Sequence, residues 1–254
     1  MAYENISLEK KDRVATIMFN REDKLNAASP ELLKELDAAI TEVENDDDVR
    51  VIVLTGKGRA FSAGADIGSF DFKRISEGRE FIDICLTPFK HFERIPKIVI
   101  AAVNGYAFGF GTGITLACDI VYASDKARFG IREVNHGAVP IETITRGLEI
   151  AGKRNISYIC LTAEDISPQD AKDMGFVNKV VPHDELMTEV YALANKLKDG
   201  APVAQEAIKR VLNRKSFEDY EYGIAMMPVI FATEDMAEGG KAFVEKRKPQ
   251  YKGK

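Results

Sequence analysis

The chain is predicted to be an α/β protein with a parallel sheet and a helical C-terminal part. Three observations predict this. Val51-Ile52-Val53-Leu54-Thr55 and Lys97-Ile98-Val99-Ile100-Ala101-Ala102-Val103 are apolar runs without polar alternation, as expected of strands covered on both faces. Helical periodicity separates such runs, so strand, helix, strand, helix is the order along the first part of the chain. From His183 onward the pattern is almost wholly helical.

In chain order, Ile6 to Lys10 and Val14 to Phe19 read as a hairpin around Lys11-Asp12-Arg13, and Asn20 to Ala28 as a polar loop. Ser29 caps a helix with Pro30 in its first turn, and Leu32, Leu33, Leu36, Ala39, Ile40 and Val43 follow at helical spacing. The acidic Asn45-Asp46-Asp47-Asp48 ends it. After the 51–55 strand comes a glycine-bearing loop, GKGRAFSAGADIGSF, and a helix over 75–94. The 97–103 strand runs into Gly105, Gly109, Gly111 and Gly113, and Ile114 to Cys118 re-enters the core as a helix. Asp119 to Ala123 is the next strand and Ile131 to Pro140 a loop. Helices over 142–151, 153–162 and 168–174 follow, the last capped by Ser167, and Phe176 to Val181 is a final strand. A boundary near 200 separates a core, residues 1–200, from a helical region, 201–254, in which Phe217, Tyr220, Ile224, Met226, Met227, Ile230 and Phe231 call for a covering partner.

Composition narrows the function classes. A chain of 254 residues with 45% hydrophobic and 30% charged residues can bury a sizeable core. Its net charge of -5 implies no broad basic face, so nucleic acid is not the expected partner. The longest tight apolar run, Ile98 to Val103, is far short of a membrane span, and MAYENISLEKKD lacks the apolar segment of a signal peptide; a cytoplasmic protein, or the mature form of an organellar one, is expected. Cys85, Cys118 and Cys160 are scattered in apolar surroundings, which argues against disulfides and against a metal cluster.

Three kinds of chemistry compete for the glycine loops. Gly109-Phe110-Gly111-Thr112-Gly113 after a strand approximates a dinucleotide-binding turn, but the spacing is G-x-G-x-G. Ala60-Phe61-Ser62-Ala63-Gly64 approximates a nucleophile elbow without its first glycine, with His136 and Asp119 as the available partners. In the third reading, the two loops each offer one backbone N–H to a single oxygen, an oxyanion hole.

The third reading coincides with a resemblance. AFSAGADI, AAVNGYAFGFGTGITLACDIVYAS, the FG-x-x-E of 129–133 and EGGKAFVEKRKP at 238–249 together resemble the crotonase (enoyl-CoA hydratase/isomerase) superfamily over essentially the whole chain. The resemblance implies a spiral of ββα turns with a C-terminal helical oligomerisation domain that builds a trimer or a dimer of trimers. It implies an acyl-CoA thioester as substrate, coenzyme A being part of that substrate and no further cofactor or metal being needed. It places the oxyanion donors at the N–H groups of Ala65 and Phe110 and the general acid/base at Glu133. It places coenzyme A along Ala63, Ala65, Asp66, Ile67 and Gly68, with Lys24 and Lys246 or Lys248 near its charged end.

The chain departs from the family pattern at three points. Phe110 stands where glycine is usual, and Gly113 where a first catalytic glutamate is usual. Glu142 lies one residue from a place where some relatives carry an additional acid, so it is either a second carboxylate or a first-turn acidic residue of the next helix. The resemblance implies an enoyl-CoA hydratase, a lyase. The alternatives are an isomerase with Glu133 as sole proton shuttle, a related decarboxylase, or a non-catalytic CoA- or RNA-binding relative; Glu133 argues against a non-catalytic CoA binder and the acidic charge against an RNA binder.

Overall fold

The computed structural model describes residues 3–69, 75–213 and 232–250. A hairpin opens the chain: β1 (Ile6–Lys11) pairs antiparallel with β2 (Val14–Phe19) across Asp12 and Arg13, both at positive φ. Ser29 then caps α1 (Pro30–Glu44), its Oγ accepting from Leu32 N at 3.3 Å, and the six apolar residues read from the periodicity are the buried face.

Three ββα turns follow. The first is β3 (Val51–Gly56), β4 (Ala60–Ser62) and α2 (Ile75–Arg94); the second is β5 (Ile98–Val103), β6 (Tyr106–Phe108) and α3 (Phe110–Leu116); the third is β7 (Ile120–Ser124), β8 (Arg128–Gly130) and α4 (Ile141–Thr162). In each turn the first strand joins a six-stranded sheet of order β1-β2-β3-β5-β7-β9, and the second joins a small sheet, β4-β6-β8. Among the described residues, the strands after the hairpin all pair in parallel, with one isolated antiparallel bridge between Phe129 and Ile166. The spiral is tight at its corners: a Cβ on Gly56 would fall 2.4 Å from Ala60 O, and one on Gly105 would fall 2.1 Å from Arg59 O. After α4 come α5 (Pro168–Asp173), β9 (Lys179–Val181), α6 (Leu186–Lys198), α7 (Pro202–Leu212) and, beyond residues not described, α8 (Glu234–Val244).

The large sheet is covered on both faces, which is why its strands lack polar alternation. Ile52, Leu54, Val99, Ala101 and Val103 face α1, α2 and the small sheet. Val51, Val53, Ile100 and Ala102 face Leu186, Val190 and Ala194 of α6.

Three sequence expectations are corrected. The second strands of the ββα turns that the resemblance implies are not placed by the residue pattern, because three-residue strands inside glycine-rich loops carry too little alternation to read. The helix expected from Ile114 begins at Phe110, since packing overrides the low helix propensity of Gly111 and Gly113. The last strand is shorter than 176–181; Phe176 and Val177 instead enter the core. The break expected between two helices near 152 is present, with Gly152 at φ +74 inside α4. The apolar residues Phe217, Tyr220, Ile224, Met226, Met227, Ile230 and Phe231 lie outside the described residues.

Buried polar groups tie α7 to the core. Lys209 Nζ, 2% exposed as a residue, donates to Asp119 Oδ2 (2.8 Å) and Lys97 O (2.9 Å), and Asp119 Oδ2 also accepts from Val99 N. Just past α7, Asn213 accepts from Arg146 of α4 and donates to Glu93 O of α2. Removing one partner of a mostly buried pair strands the other charge. Lys209→Ala is therefore expected to lower unfolding free energy by ~3 kcal/mol or more in urea titration. A loss under about 1 kcal/mol, as for a surface pair, would show that this contact does not anchor the helix.

Candidate active site

The site starts from two backbone turns held against each other. The first turn, 63–68, is laced to the loop before α1. Ala63 N donates to Leu25 O (2.9 Å), Ala28 N to Gly64 O (2.8 Å) and Asp66 N to Ala28 O (2.9 Å). Buried Asn26, at φ +57, fixes that loop by donating to Lys57 O and Ala60 O and accepting from Arg21 N. Arg21 also pairs with Asp66 at 3.0 Å. The second turn leads from β6 into α3. Gly109 N donates to Gly130 O, and the buried Thr112 hydroxyl donates to Ala107 O and accepts from Gly130 N.

The turns meet at glycines. Gly64 (φ +109) and Gly109 (φ +50) take conformations unfavourable to other residues, and a Cβ on Gly64 would lie 3.2 Å from Phe108 O. Ala65 and Phe110, the next residue of each turn, both line one cavity of about 640 Å³. Neither N–H donates to an acceptor among the described residues. Two such donors beside one cavity can hold an oxygen that becomes negatively charged.

Three glutamates line the same cavity; Glu245 is exposed at its α8 side, and Glu133 and Glu142 are the two that are half-buried. Glu133 opens a 3-10 turn, Glu133–His136, and its Oε1 lies so close to Gly109 that a Cβ there would be 2.8 Å away. Its Oε2 is buried and receives no hydrogen bond from the described residues. Glu142 sits in the first turn of α4. Burial, and then the negative charge of Glu142, push the Glu133 carboxyl up to about 8. Burial alone pushes Glu142 up to about 7. Carboxyls that gain and lose protons near neutrality suit proton transfer.

Apolar groups close the remaining walls. Phe110 packs edge-on against Phe89, centroids 5.4 Å apart. Phe81, Ile82 and Cys85 of α2 line the cavity, as do Val139 and Pro140. The Arg132 guanidinium lies 4.0 Å over Phe108 and pairs with Asp165, which orients the residue preceding Glu133. α8 packs onto the 133–137 turn so closely that a Cβ on Gly239 would fall 2.2 Å from His136 O. From α8, Met236, Gly240, Phe243 and Val244 reach the cavity, and Phe243 meets His136 edge-on.

The structure thus brings together Glu133, Glu142, Ala63, Ala65, Phe110, Ile67 and Gly68 around one cavity. It does not bring Asp66, Lys24 or Lys246 to the lining of that cavity: Asp66 is paired with Arg21, and Lys24 and Lys246 are exposed. The other two chemistries do not assemble. Ser62 is fully buried, its Oγ accepts from Gly64 N, and among the described residues it has no hydrogen bond with His136 or Asp119, the latter being engaged by Lys209. The glycine turn that approximates a dinucleotide site has the Glu133 carboxyl against it, which opposes a pyrophosphate. Among the described residues, no group of three or more His, Cys, Asp or Glu could hold a metal ion, and no helix is long and apolar enough to cross a membrane. The lining residues of α2, and the positioning residues Asn26 and Thr112, escaped the sequence reading; Gly240, Phe243 and Val244 of α8 lie in the 238–249 block, but the block does not assign them to the cavity wall. Phe81, Ile82 and Cys85 carry the spacing of any core helix face, and a buried Asn or Thr is not marked in sequence.

Fold and cavity define a class: an α/β spiral of ββα turns with a pair of free backbone donors opposite buried carboxyls. The chain belongs to the enoyl-CoA hydratase/isomerase family, whose model matches residues 9–254. It is 40% identical over 254 residues to a short-chain-enoyl-CoA hydratase of Clostridium acetobutylicum, covering 98% of this chain and 97% of that protein. It is 35% identical to a crotonyl-CoA hydratase of Syntrophomonas wolfei, covering 99% of each. The crystal structure of an enoyl-CoA hydratase from Mycobacterium avium subsp. paratuberculosis superposes with a TM-score of 0.88 at 26% identity, covering 99% of this chain and 100% of that one.

The raised carboxyl pKa values have a stability consequence with a definite sign. Between the unfolded value of about 4.3 and about 8, the folded chain holds a proton on Glu133 that the unfolded chain has released. Stability from this group is therefore complete at acid pH and is lost as pH rises towards 8. Glu133→Gln removes the titration, so denaturation midpoints at pH 5 and pH 8 are expected to separate more in the wild type than in the variant. Equal pH dependence in both would contradict the buried, proton-holding carboxyl.

Proposed function

We propose that this protein is an enoyl-CoA hydratase that adds water across the 2,3 double bond of a short 2-enoyl-CoA. The observation that carries the reading is the Glu133 carboxyl lying against the Gly109–Phe110 turn, with one oxygen unsatisfied and the Ala65 turn opposite. The thioester carbonyl oxygen takes the N–H groups of Ala65 and Phe110. When water attacks C3, charge moves onto that oxygen, and each preorganised donor of this kind contributes about 3–4 kcal/mol to the transition state. Glu133 exchanges the proton at C2. The Phe110 ring, held by Phe89 behind it, forms part of the cavity wall and limits the room for the acyl chain, in keeping with the relatives named for short-chain and crotonyl substrates.

In this reading Ala63 to Gly68 guide the pantetheine, while Lys24 and Lys246 serve the charged end of coenzyme A from outside the cavity. No other cofactor enters. In this reading the protein works in the cytoplasm and assembles through its helical C-terminal region, residues 201–254, as a trimer or a dimer of trimers. The outward face of α7 supports assembly: Val203, Ile208, Val211 and Leu212 are all more than half exposed.

The test is crotonyl-CoA in buffered water, followed by loss of the conjugated thioester absorbance. Rapid loss is expected, with Glu133→Gln lowering kcat by about 10²–10⁴-fold. Absence of loss in a protein that still binds CoA esters would overturn the reading. Turnover of a 3-enoyl-CoA without water uptake would then identify an isomerase.

A further inference from the structure

We propose that Glu142 is the second catalytic carboxyl of this site, seated in room left for it by Gly113, and that it activates the water that attacks C3. The inference rests on the hydratase reading and assigns the half of the reaction that Glu133 leaves open. Adding water to a double bond needs a group to take a proton from the water and another to give one to the neighbouring carbon.

The geometry starts at Gly113. A Cβ built there would lie 2.9 Å from Glu142 Cγ, 3.2 Å from Thr143 Oγ1 and 3.3 Å from Phe89 Cε1. Its backbone φ is not in the left-handed region, so no conformational demand requires glycine at this position. What requires it is the Glu142 side chain, which crosses from α4 and fills the space any side chain at 113 would need. Glycine inside a helix costs about 1 kcal/mol against alanine, and the space it leaves is occupied by a carboxyl-bearing side chain that lines the cavity.

The order of the two carboxyls along α3 matches the order of the reacting carbons. Glu133 Oε1 lies against Gly109, the residue before the Phe110 donor. Glu142 lies against Gly113, one helical turn further on, with Gly113 N donating to Gly109 O at 2.9 Å. That turn advances about 5.4 Å along the helix axis. A thioester oxygen at the Phe110 N–H therefore places C2 towards Glu133 and the chain beyond it towards Glu142. Burial holds a proton on both carboxyls near neutrality, and the Glu142 charge adds to that effect on Glu133. One protonated and one ionised carboxyl is the state the reaction needs.

The step balances. The ionised Glu142 takes a proton from water as the water oxygen bonds to C3. The C2=C3 π pair shifts towards C1, and charge collects on the thioester oxygen at Ala65 and Phe110. The protonated Glu133 gives its proton to C2 and the carbonyl re-forms. The proton now on Glu142 returns to Glu133, directly or through solvent.

The experiment uses the full chain and two readouts: crotonyl-CoA hydration, and exchange of the C2 protons of butyryl-CoA with deuterated solvent. Glu142→Gln is expected to lower hydration by about 10²-fold or more while C2 exchange continues; Glu133→Gln loses both. The paired variant Gly113→Glu/Glu142→Gly returns a carboxyl to the same seat from α3 and is expected to hydrate at least tenfold faster than Glu142→Gly alone. Hydration by Glu142→Gln within about threefold of wild type would overturn the proposal and leave the hydratase reading standing. A folded paired variant no faster than Glu142→Gly would overturn the shared seat. A wild-type protein that does not hydrate crotonyl-CoA would instead overturn the reading on which this rests.

Discussion

The contact on which the site depends is between two stretches of backbone. Gly64 and Gly109 meet where a Cβ on Gly64 would lie 3.2 Å from Phe108 O and one on Gly109 would be in contact with Gly64 Cα at 3.7 Å. Both have positive φ, and neither could carry a side chain without strain. The ββα spiral produces this approach, because parallel neighbours β4 and β6 lead into the two turns from the same small sheet. Everything else is bracing. Asn26 and the Arg21–Asp66 pair hold one turn, and Thr112 with Gly130 holds the other.

The bracing permits an arrangement that would otherwise relax. A carboxyl buried beside another carboxyl is costly when both are ionised. Glu133 stays where it is because its turn is clamped on two sides, by Arg132 against Phe108 and Asp165, and by α8 through Gly239. The helical C-terminal region thus reaches the chemistry: the cavity that holds Glu133 is walled in part by Met236, Phe243 and Val244.

Much of this was legible in the residues. The long strands of the large sheet declared themselves by unbroken apolar runs, and α1 by its cap and its buried stripe. Glu133, Ala65 and Phe110 were found through the four motif blocks, and the structure gathers them at one cavity. What could not be read was created by packing. β4, β6 and β8 are three residues each and exist because the spiral stacks them. The helix at Phe110 starts despite two glycines because Gly111 packs where a Cβ would fall 2.3 Å from Ser62 O. Gly113 read as a missing glutamate; only the position of Glu142 across from it shows why glycine is there. Asp66 matched a coenzyme-facing motif, yet its carboxylate is committed to Arg21, a pairing set by a loop fold that no local pattern announces.

The central claim is that the Ala65 and Phe110 N–H groups bind and polarise a thioester oxygen. The infrared carbonyl band of a bound, carbonyl-labelled acyl-CoA tests it most directly. Two donors on the oxygen weaken the C=O bond, so the account predicts a band shifted to lower frequency than that of the free ester. A bound ester whose carbonyl band stays at its position in water would contradict it.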